Sequence, residues 1–243
     1  MPPRYAIVIP AFNEERWLPA TLHAVLSARD ASGVAGEIIV VDNNSSDGTR
    51  RVALGFPGVR LVFEPVNQIS RARNAGAAAA EAEWLIFLDA DTLLPAETLA
   101  AALAQLGRDD FCGGAATVAY ADPEVAGFFG RNLLKCWNAA AHFRRLSAGA
   151  FIFCRRADWA RCGGFSKAVF AGEDGLFGQA LTRRGKARGA RFVVLHELVL
   201  TSARKLQWFG IWGCVKQILI CFLPGAIFSR RFLYLWYSRP KGK

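Results

Sequence analysis

The sequence has little of what metal clusters and disulfide frameworks are made from. Its 243 residues include six cysteines and three histidines. Cys112, Cys136, Cys154, Cys162, Cys214 and Cys221 form no Cys-x-x-Cys pair and no zinc-type spacing with the histidines, so they read as reduced core or interface residues. A secretory signal is also missing: Met1–Arg4 leads into only a short apolar run, Tyr5–Pro10, with no cleavage site, and a cytoplasmic location is expected. Acidic charge is scarce, 20 Asp and Glu against 30 Lys and Arg, and the net +10 calls for an acidic partner. Nucleic acid, anionic lipid and a phosphorylated small molecule are the candidates. No recognised nucleic-acid motif is present, so no nucleic acid is expected. What the chain has in abundance is apolar residues, 53% of the total, with a mean hydropathy of +0.20 that is high for a purely soluble protein. The length suits one domain, residues 1–205, followed by an extension, 206–243.

The central stretch is Trp84-Leu85-Ile86-Phe87-Leu88-Asp89-Ala90-Asp91-Thr92. Five apolar residues run without a break into two aspartates, which reads as a strand buried on both faces with carboxylates at its carboxyl end. Open α/β sheets bind ligands at that edge. Asp89 and Asp91 are two apart and can converge across a turn at Ala90. Hard oxygens without a nearby His or Cys suit Mg²⁺ or Mn²⁺, which usually also takes oxygens from a substrate phosphate. Alone the motif is weak, because Asp is also common at helix starts.

The flanking segments repeat one theme. Ala6–Ile9 is a buried strand followed by the polar loop Pro10-Ala11-Phe12-Asn13-Glu14-Glu15 and a helix with Leu18, Leu22, Val25 and Leu26 on one face. Glu37–Asp42 is a second strand, with Asn43–Thr49 as its loop, and Val59–Phe63 a third. Ser70 is expected to cap an alanine-rich helix over 71–83 that carries Arg71, Arg73 and Asn74 in its first turns. Alternating strands and helices with short connections predict a parallel, doubly wound α/β sheet. All four loops then fall on one edge and surround one crevice, offering carboxylates, amide donors and arginines to a nucleoside diphosphate with a metal.

Pro-Ala-Phe-Asn-Glu, Val-Val-Asp-Asn-Asn-Ser-Ser-Asp-Gly-Thr, Ala-Arg-Asn-Ala-Gly and Leu-Asp-Ala-Asp-Thr, in this order and spacing, resemble the family 2 inverting glycosyltransferases of GT-A fold. The resemblance is close over about the first 100 residues and recognisable to roughly residue 205. It implies a Rossmann-like, mostly parallel sheet flanked by helices, and a donor that is a nucleotide sugar, a UDP-sugar first and GDP-mannose second. By the same resemblance Pro10, Ala11, Phe12, Asn13, Glu14, Asp42 and Asn44 contact base and ribose, with Arg71 and Asn74 beside them. Asp89, Ala90 and Asp91 take the diphosphate, and Asp91 with Asp89 holds Mn²⁺ or Mg²⁺. Phe12 stands where many relatives carry Tyr.

Further along, 112–119 reads as a strand, 122–146 as mostly helical with Phe128, Phe129, Leu133, Leu134 and Trp137 as core or acceptor-groove wall, and Ser147–Phe153 as a strand opened by small residues. Gly163-Gly164-Phe165 followed by Glu173-Asp174 is again a family pattern, in which the acidic pair supplies the catalytic base. Asp174 is expected to be that base, with Glu173 binding or orienting the acceptor, and one of the two adjacent carboxyls is expected to have a raised pKa. Ser166 stands where relatives usually have Asp. Arg191–Leu200 is a further strand. His196 within it is a candidate metal ligand because some relatives place a late His there, although a lone His in an apolar strand is more often structural. The Ser-x-Arg-Lys run resembles a family segment near the diphosphate, which makes Arg204 a stronger candidate than His196.

From Trp208 to Phe228 Lys216 is the only charge, and Trp208, Ile211, Trp212, Val215, Ile218, Leu219 and Phe222 recur at helical spacing. Lys216-Gln217 at the middle and Pro224-Gly225 near the end argue against a membrane span. An in-plane helix followed by Arg230-Arg231, Phe232, Tyr234, Trp236, Tyr237 and the cations Arg239, Lys241 and Lys243 fits the surface of an anionic membrane on its cytoplasmic face. A homodimer through this segment is the alternative, and a lipid-linked acceptor follows from the membrane reading. The other readings of the whole are an inactive membrane-bound nucleotide-sugar binding module, opposed by the retained Asp89, Asp91, Glu173 and Asp174, and a nucleotidyltransferase, opposed by the lack of a glycine-rich basic loop after the first strand.

Overall fold

The computed structural model describes residues 2–144, 147, 149–221, 223, 225–233 and 237. Eight strands make one sheet: β1 (Tyr5–Ala11), β2 (Gly36–Asp42), β3 (Val59–Phe63), β4 (Trp84–Leu88), β5 (Thr92–Leu93), β6 (Phe111–Tyr120), β7 (Phe151–Arg155) and β8 (Arg191–Thr201). Their order is β3-β2-β1-β4-β7-β6-β8-β5. The helices are α1 (Leu18–Ser32), α2 (Thr49–Leu54), α3 (Ile69–Ala79), α4 (Ala96–Leu106), α5 (Pro123–Arg144), α6 (Arg156–Arg161), α7 (Glu173–Lys186) and α8 (Arg204–Cys221).

All residues of β1 and β4 are buried, which follows from apolar runs that have to be covered on both faces. Because strand side chains alternate, Tyr5, Ile7 and Ile9 join a cluster with Leu18, Leu22 and Val25 of α1 and Leu99 and Leu103 of α4. Ala6 and Val8 join the opposite cluster, with Ala72 and Ala77 of α3 and Phe177 and Leu181 of α7. β1 to β4 pair in parallel as expected. Beyond β4 the sheet becomes mixed: β7 runs antiparallel between β4 and β6, β6 and β8 are parallel, and β5 is antiparallel to β8. An apolar run carries no sign of direction, so these reversals could not be read from pattern.

Several boundaries differ from the sequence expectations. Helix α3 begins at Ile69 after Gln68 and ends at Ala79; Ser70 lies inside it, and its buried hydroxyl finds no partner among the described residues, so it is no cap. β7 begins at Phe151, while Gly149 and Ala150 form a turn and Ala148 lies outside the described residues. α5 is broken by Gly127 at φ 61°, and α8 by Gly210 at φ 65°. The C-terminal helix is therefore Arg204–Cys221 with a break, not one segment over 208–228. Phe222, Pro224, Tyr234, Trp236, Arg239, Lys241 and Lys243 lie outside the described residues, as does the side chain of Ile218. Among the described residues no helix is long and apolar enough to cross a membrane.

Helix α3 approaches the sheet at Gly76, where a Cβ would stand 2.3 Å from Val8 Cγ1 and 2.9 Å from Val41 Cγ2. Both valines are fully buried and rotamer-restricted, so neither yields cheaply. Gly76→Ala is therefore expected to lower stability by about 1–3 kcal/mol, against the gain of up to about 1 kcal/mol that Ala normally gives inside a helix. Urea unfolding midpoints measure this, and a stabilised variant would refute the close packing.

Candidate functional site: a carboxylate-lined crevice at the switch point

Chain order runs from β1 outward to β2 and β3 and then returns to β4 on the other side of β1, so the topological switch lies between β1 and β4. Loops leaving the carboxyl ends of β1 and β4 must diverge there and leave a crevice. Pro10, Ala11, Phe12 and Glu14 line it from β1, Asn43 from β2, Asp89, Ala90 and Asp91 from β4, and Asn67 and Ile69 from the entry to α3. Arg204, Lys205 and Tyr237 complete it from the C-terminal part of the chain.

Two arginines organise its charge. Arg73 is 1% exposed and donates from Nη1 to Glu173 Oε1 at 2.7 Å and from Nη2 to Asp89 Oδ1 at 2.9 Å and the Gly149 carbonyl at 3.0 Å. Burial alone would lower its pKa, but the charges of Asp89 and Glu173 outweigh it and hold it above the ordinary value. Arg204 makes a two-pronged pair with Glu14, Nη2 lying 2.6 Å from Oε1 and Nη1 bonding Oε2, and its Nε stands 3.0 Å from Asp91 Oδ2. Burial, again opposed by Asp91 and Glu14, leaves Arg204 above its usual pKa. The rings of Trp17 and Trp208 lie 5.7 and 5.3 Å from its guanidinium carbon.

Glu173 and Asp174 open α7 behind the left-handed Gly172, φ 74°. They differ sharply. Glu173 is buried against Arg73, and burial pushes its carboxyl up to about 7 against the pull of that guanidinium, with the Asp174 charge adding to the rise. The raised carboxyl thus belongs to Glu173, and burial outranks like-charge repulsion as its cause. Asp174 stays half-buried, with no side-chain hydrogen bond or ion pair among the described residues. A Cβ on Gly149 would stand 2.9 Å from Asp174 Oδ2 and 3.3 Å from Arg73 Nη2, so Asp174, Arg73 and Asp89 form one cluster. Ser147 reinforces it by donating to the Asp174 carbonyl at 2.7 Å.

Other candidates lie outside the crevice lining. The Asp42 carboxylate accepts from the Ser45 amide at 2.9 Å, and Asn13 Oδ1 accepts from the Ser46 amide at 2.8 Å, so both shape the neighbouring loop. Asn44 is exposed at φ 64°, while its neighbour Asn43 is buried and ties Glu64, Val66 and Gln68 together. Arg71 donates to Gln68 at 3.1 Å. Asn74 spends its amide on the Phe165 backbone, at 2.8 and 2.9 Å, and on Trp159 Nε1, and therefore positions the Gly164-Phe165 turn. His196 lies apart from the crevice: pairing jumps from Ala116↔Leu195 to Thr117↔Leu198, so His196 and Glu197 bulge out of the ladder. His196 is exposed and stacks on His142 at 4.8 Å, five residues along an extended strand from Thr201, or about 16 Å. Residues the motifs did not single out are Asn43, Asn67, Ile69, Lys205 and Tyr237. Tyr237, read from sequence only as one of the C-terminal interfacial aromatics, donates to the Phe170 carbonyl at 3.0 Å and lines the crevice.

The donor set fits a hard cation. Among the described residues no cluster of three or more His, Cys, Asp or Glu could hold a metal, but Asp89 and Asp91 each keep one carboxylate oxygen outside their arginine pairs. One or two carboxylates with the remaining ligands from substrate phosphates is the usual Mg²⁺ arrangement.

The profile of the family described as Glycosyl transferase family 2 matches residues 6–151. An uncharacterized glycosyltransferase of Mycobacterium tuberculosis is 36% identical over 102 residues, 42% of this chain and 43% of that one. The undecaprenyl-phosphate 4-deoxy-4-formamido-L-arabinose transferase of Aeromonas hydrophila is 36% identical over 100 residues, 39% of this chain and 31% of that one. The chain thus spans less than half the length of these relatives. The mannosyltransferase PcManGT of Pyrobaculum calidifontis, solved with GDP-Man and Mn²⁺, superposes with a TM-score of 0.66 over 90% of this chain and 63% of its own, at 22% identity, a likeness of fold.

Removing Arg73 would leave the buried Glu173 and the half-buried Asp89 without their counter-charge. Arg73→Ala is expected to cost about 3–5 kcal/mol, read from denaturant unfolding. Adding Glu173→Gln to that variant should recover part of the loss; strictly additive losses would mean the pair is not coupled.

Proposed function

The chain belongs to glycosyl transferase family 2, and from that membership we propose that it moves a sugar from a nucleoside-diphosphate donor to an acceptor, with inversion at the anomeric carbon. The observation that carries the reading is the cluster of Asp89, Arg73 and Asp174 at one end of the crevice that Asp91 also lines. Asp91 and Asp89 would hold Mn²⁺ or Mg²⁺. Bound there, the dication supplies Lewis-acid stabilisation of the leaving diphosphate. Phe12 and the Pro10–Ala11 backbone face the nucleoside, uridine or guanosine, and Arg204 and Lys205 add positive charge where the diphosphate lies.

Inversion needs the acceptor oxygen to approach the anomeric carbon from the side opposite the diphosphate. Asp174 takes the proton of a hydroxyl acceptor as the carbon–oxygen bond forms. A phosphate acceptor is already ionised and needs no base. Glu173 fixes Arg73 rather than touching the acceptor, since its carboxylate is buried in that pair. Residues 206–243 bring the enzyme to an anionic membrane on its cytoplasmic face, and the acceptor is lipid-linked. The polyprenyl-phosphate named for the Aeromonas relative agrees with this chemistry.

Calorimetric titration with UDP and GDP in the presence of Mn²⁺ tests the site. Asp91→Ala should abolish metal-dependent nucleotide binding, because the diphosphate then loses its main route to a counter-ion. Wild-type metal dependence in that variant would refute the assignment. Asp174→Asn should keep nucleotide and metal affinity while slowing turnover on a hydroxyl acceptor by about 10²- to 10⁴-fold. If it turns over a hydroxyl acceptor as fast as wild type, Asp174 is not the base.

A further inference from the structure

The large apolar side chains that the fold leaves exposed are concentrated in one region. Among the described residues, eleven of sixteen belong to α5 or to residues 212–232. On α5 they follow the helix period: Phe129, Leu133, Trp137 and Phe143 fall on one stripe, with Phe129 74% and Phe143 86% exposed. The opposite face holds α5 to the domain. Asn138 bonds both the amide and the carbonyl of Val118 in β6, and Ala141 is buried. A Cβ on Gly130 would stand 2.8 Å from Leu206 Cδ1, so α5 also packs on α8. Trp212 of α8 is 81% exposed, and Leu219 is exposed as well, whereas the polar Gln217 is buried and donates to the Phe232 carbonyl. Both helices therefore turn apolar residues to the outside, the reverse of a helix packed only on its own domain.

Charge identifies the occupant. No Asp or Glu occurs between Glu124 and Arg144, and none after Glu197. Lys135 lies beyond the Phe143 edge of the α5 stripe and Arg131 on the side of the helix away from it, while Lys216, Arg230 and Arg231 accompany α8 and the segment after it; all five are exposed. An apolar, aromatic surface without carboxylates, and with cations on the neighbouring segment, matches an anionic bilayer surface. A second copy meeting the same face across a two-fold axis would set these cations against one another.

We infer that α5 is a second lipid-contacting element, lying with α8 on an anionic bilayer through Phe129, Leu133, Trp137 and Phe143. The inference rests on the lipid reading of residues 206–243 and extends the contact to a helix inside the catalytic domain. Its consequence for that domain is direct. Phe143 precedes by only a few residues Ser147 and Gly149, which bond the Asp174 carbonyl and Arg73. The contact surface thus runs into the segment that holds the catalytic cluster, where the headgroup of a lipid-linked acceptor has to arrive.

Flotation of the full chain with phosphatidylcholine vesicles, with and without phosphatidylglycerol, tests this against two double variants, Phe129→Ser with Phe143→Ser and Trp212→Ser with Leu219→Ser. Wild type should bind the anionic vesicles and release at high salt. The α5 variant should lose about tenfold or more in affinity while retaining Mn²⁺-dependent UDP or GDP binding, which shows that its fold is intact. If the α8 variant loses binding and the α5 variant does not, the α5 inference is wrong and the lipid reading of the C-terminal segment stands. Failure of wild type to bind anionic vesicles overturns both. A wild-type dimer in sedimentation that the α5 variant dissociates, without vesicle binding, makes the face an interface between copies and also overturns the inference.

Discussion

A single guanidinium ties together the parts of the chain that form the site. Arg73 comes from α3, and its partners come from the end of β4, the turn before β7 and the start of α7, so segments up to 100 residues apart meet on one planar group. Such a buried pair is poor evidence of net stability, since desolvation offsets most of its Coulomb energy. Its value is geometric. The fork fixes where Asp89 and Glu173 stand and leaves Asp174, one residue on, half-buried beside them. A flexible ammonium could not replace it, because the directions of three hydrogen bonds are set by one rigid plane.

The charge of the crevice runs against that of the chain. The protein carries a net +10, yet Glu14, Asp89, Asp91, Glu173 and Asp174 gather around Arg73, Arg204 and Lys205. A diphosphate would add negative charge to a locally acidic site, which is unfavourable unless a dication accompanies it. Glu173 relieves part of the conflict, since burial raises its carboxyl to about 7 and it is partly protonated near neutrality. Arg204 relieves another part by bridging Glu14 and Asp91, the loops after β1 and β4. The proposed cation thus rests on the balance of side chains as much as on the Asp-x-Asp spacing.

The sequence was most legible where an element is defined by its own residues. The runs 59–63 and 84–88 have the bounds of β3 and β4, and a buried strand followed by acids placed Asp89 and Asp91 at the switch point. Placement was less legible where another element decides the geometry. Asn74 looked like a ligand group, but Phe165, 91 residues on, engages its amide. Asn43, not Asn44, faces the crevice, because Asn44 takes a left-handed turn that points the loop outward. His196 sits in a bulge that no alternation predicts. The role of Tyr237 depends on how the last residues return to Phe170, which periodicity cannot express.

The excess of apolar residues is explained by the same separation of local from tertiary control. α5 looked like core because it carries aromatics at helical spacing, yet spacing only says that a stripe exists, not which side of the helix meets the domain. Asn138 decides that: its amide matches the free edge groups of Val118, so the polar side of α5 turns inward and the aromatic side is left outside. Gln217 does the same for α8 by binding the Phe232 carbonyl. Polar anchors that point inward are costly unless fully bonded, and both amides are bonded here. A sequence that satisfies these polar groups toward the domain and leaves phenylalanine and tryptophan outside carries its apolar excess on the surface of these two helices.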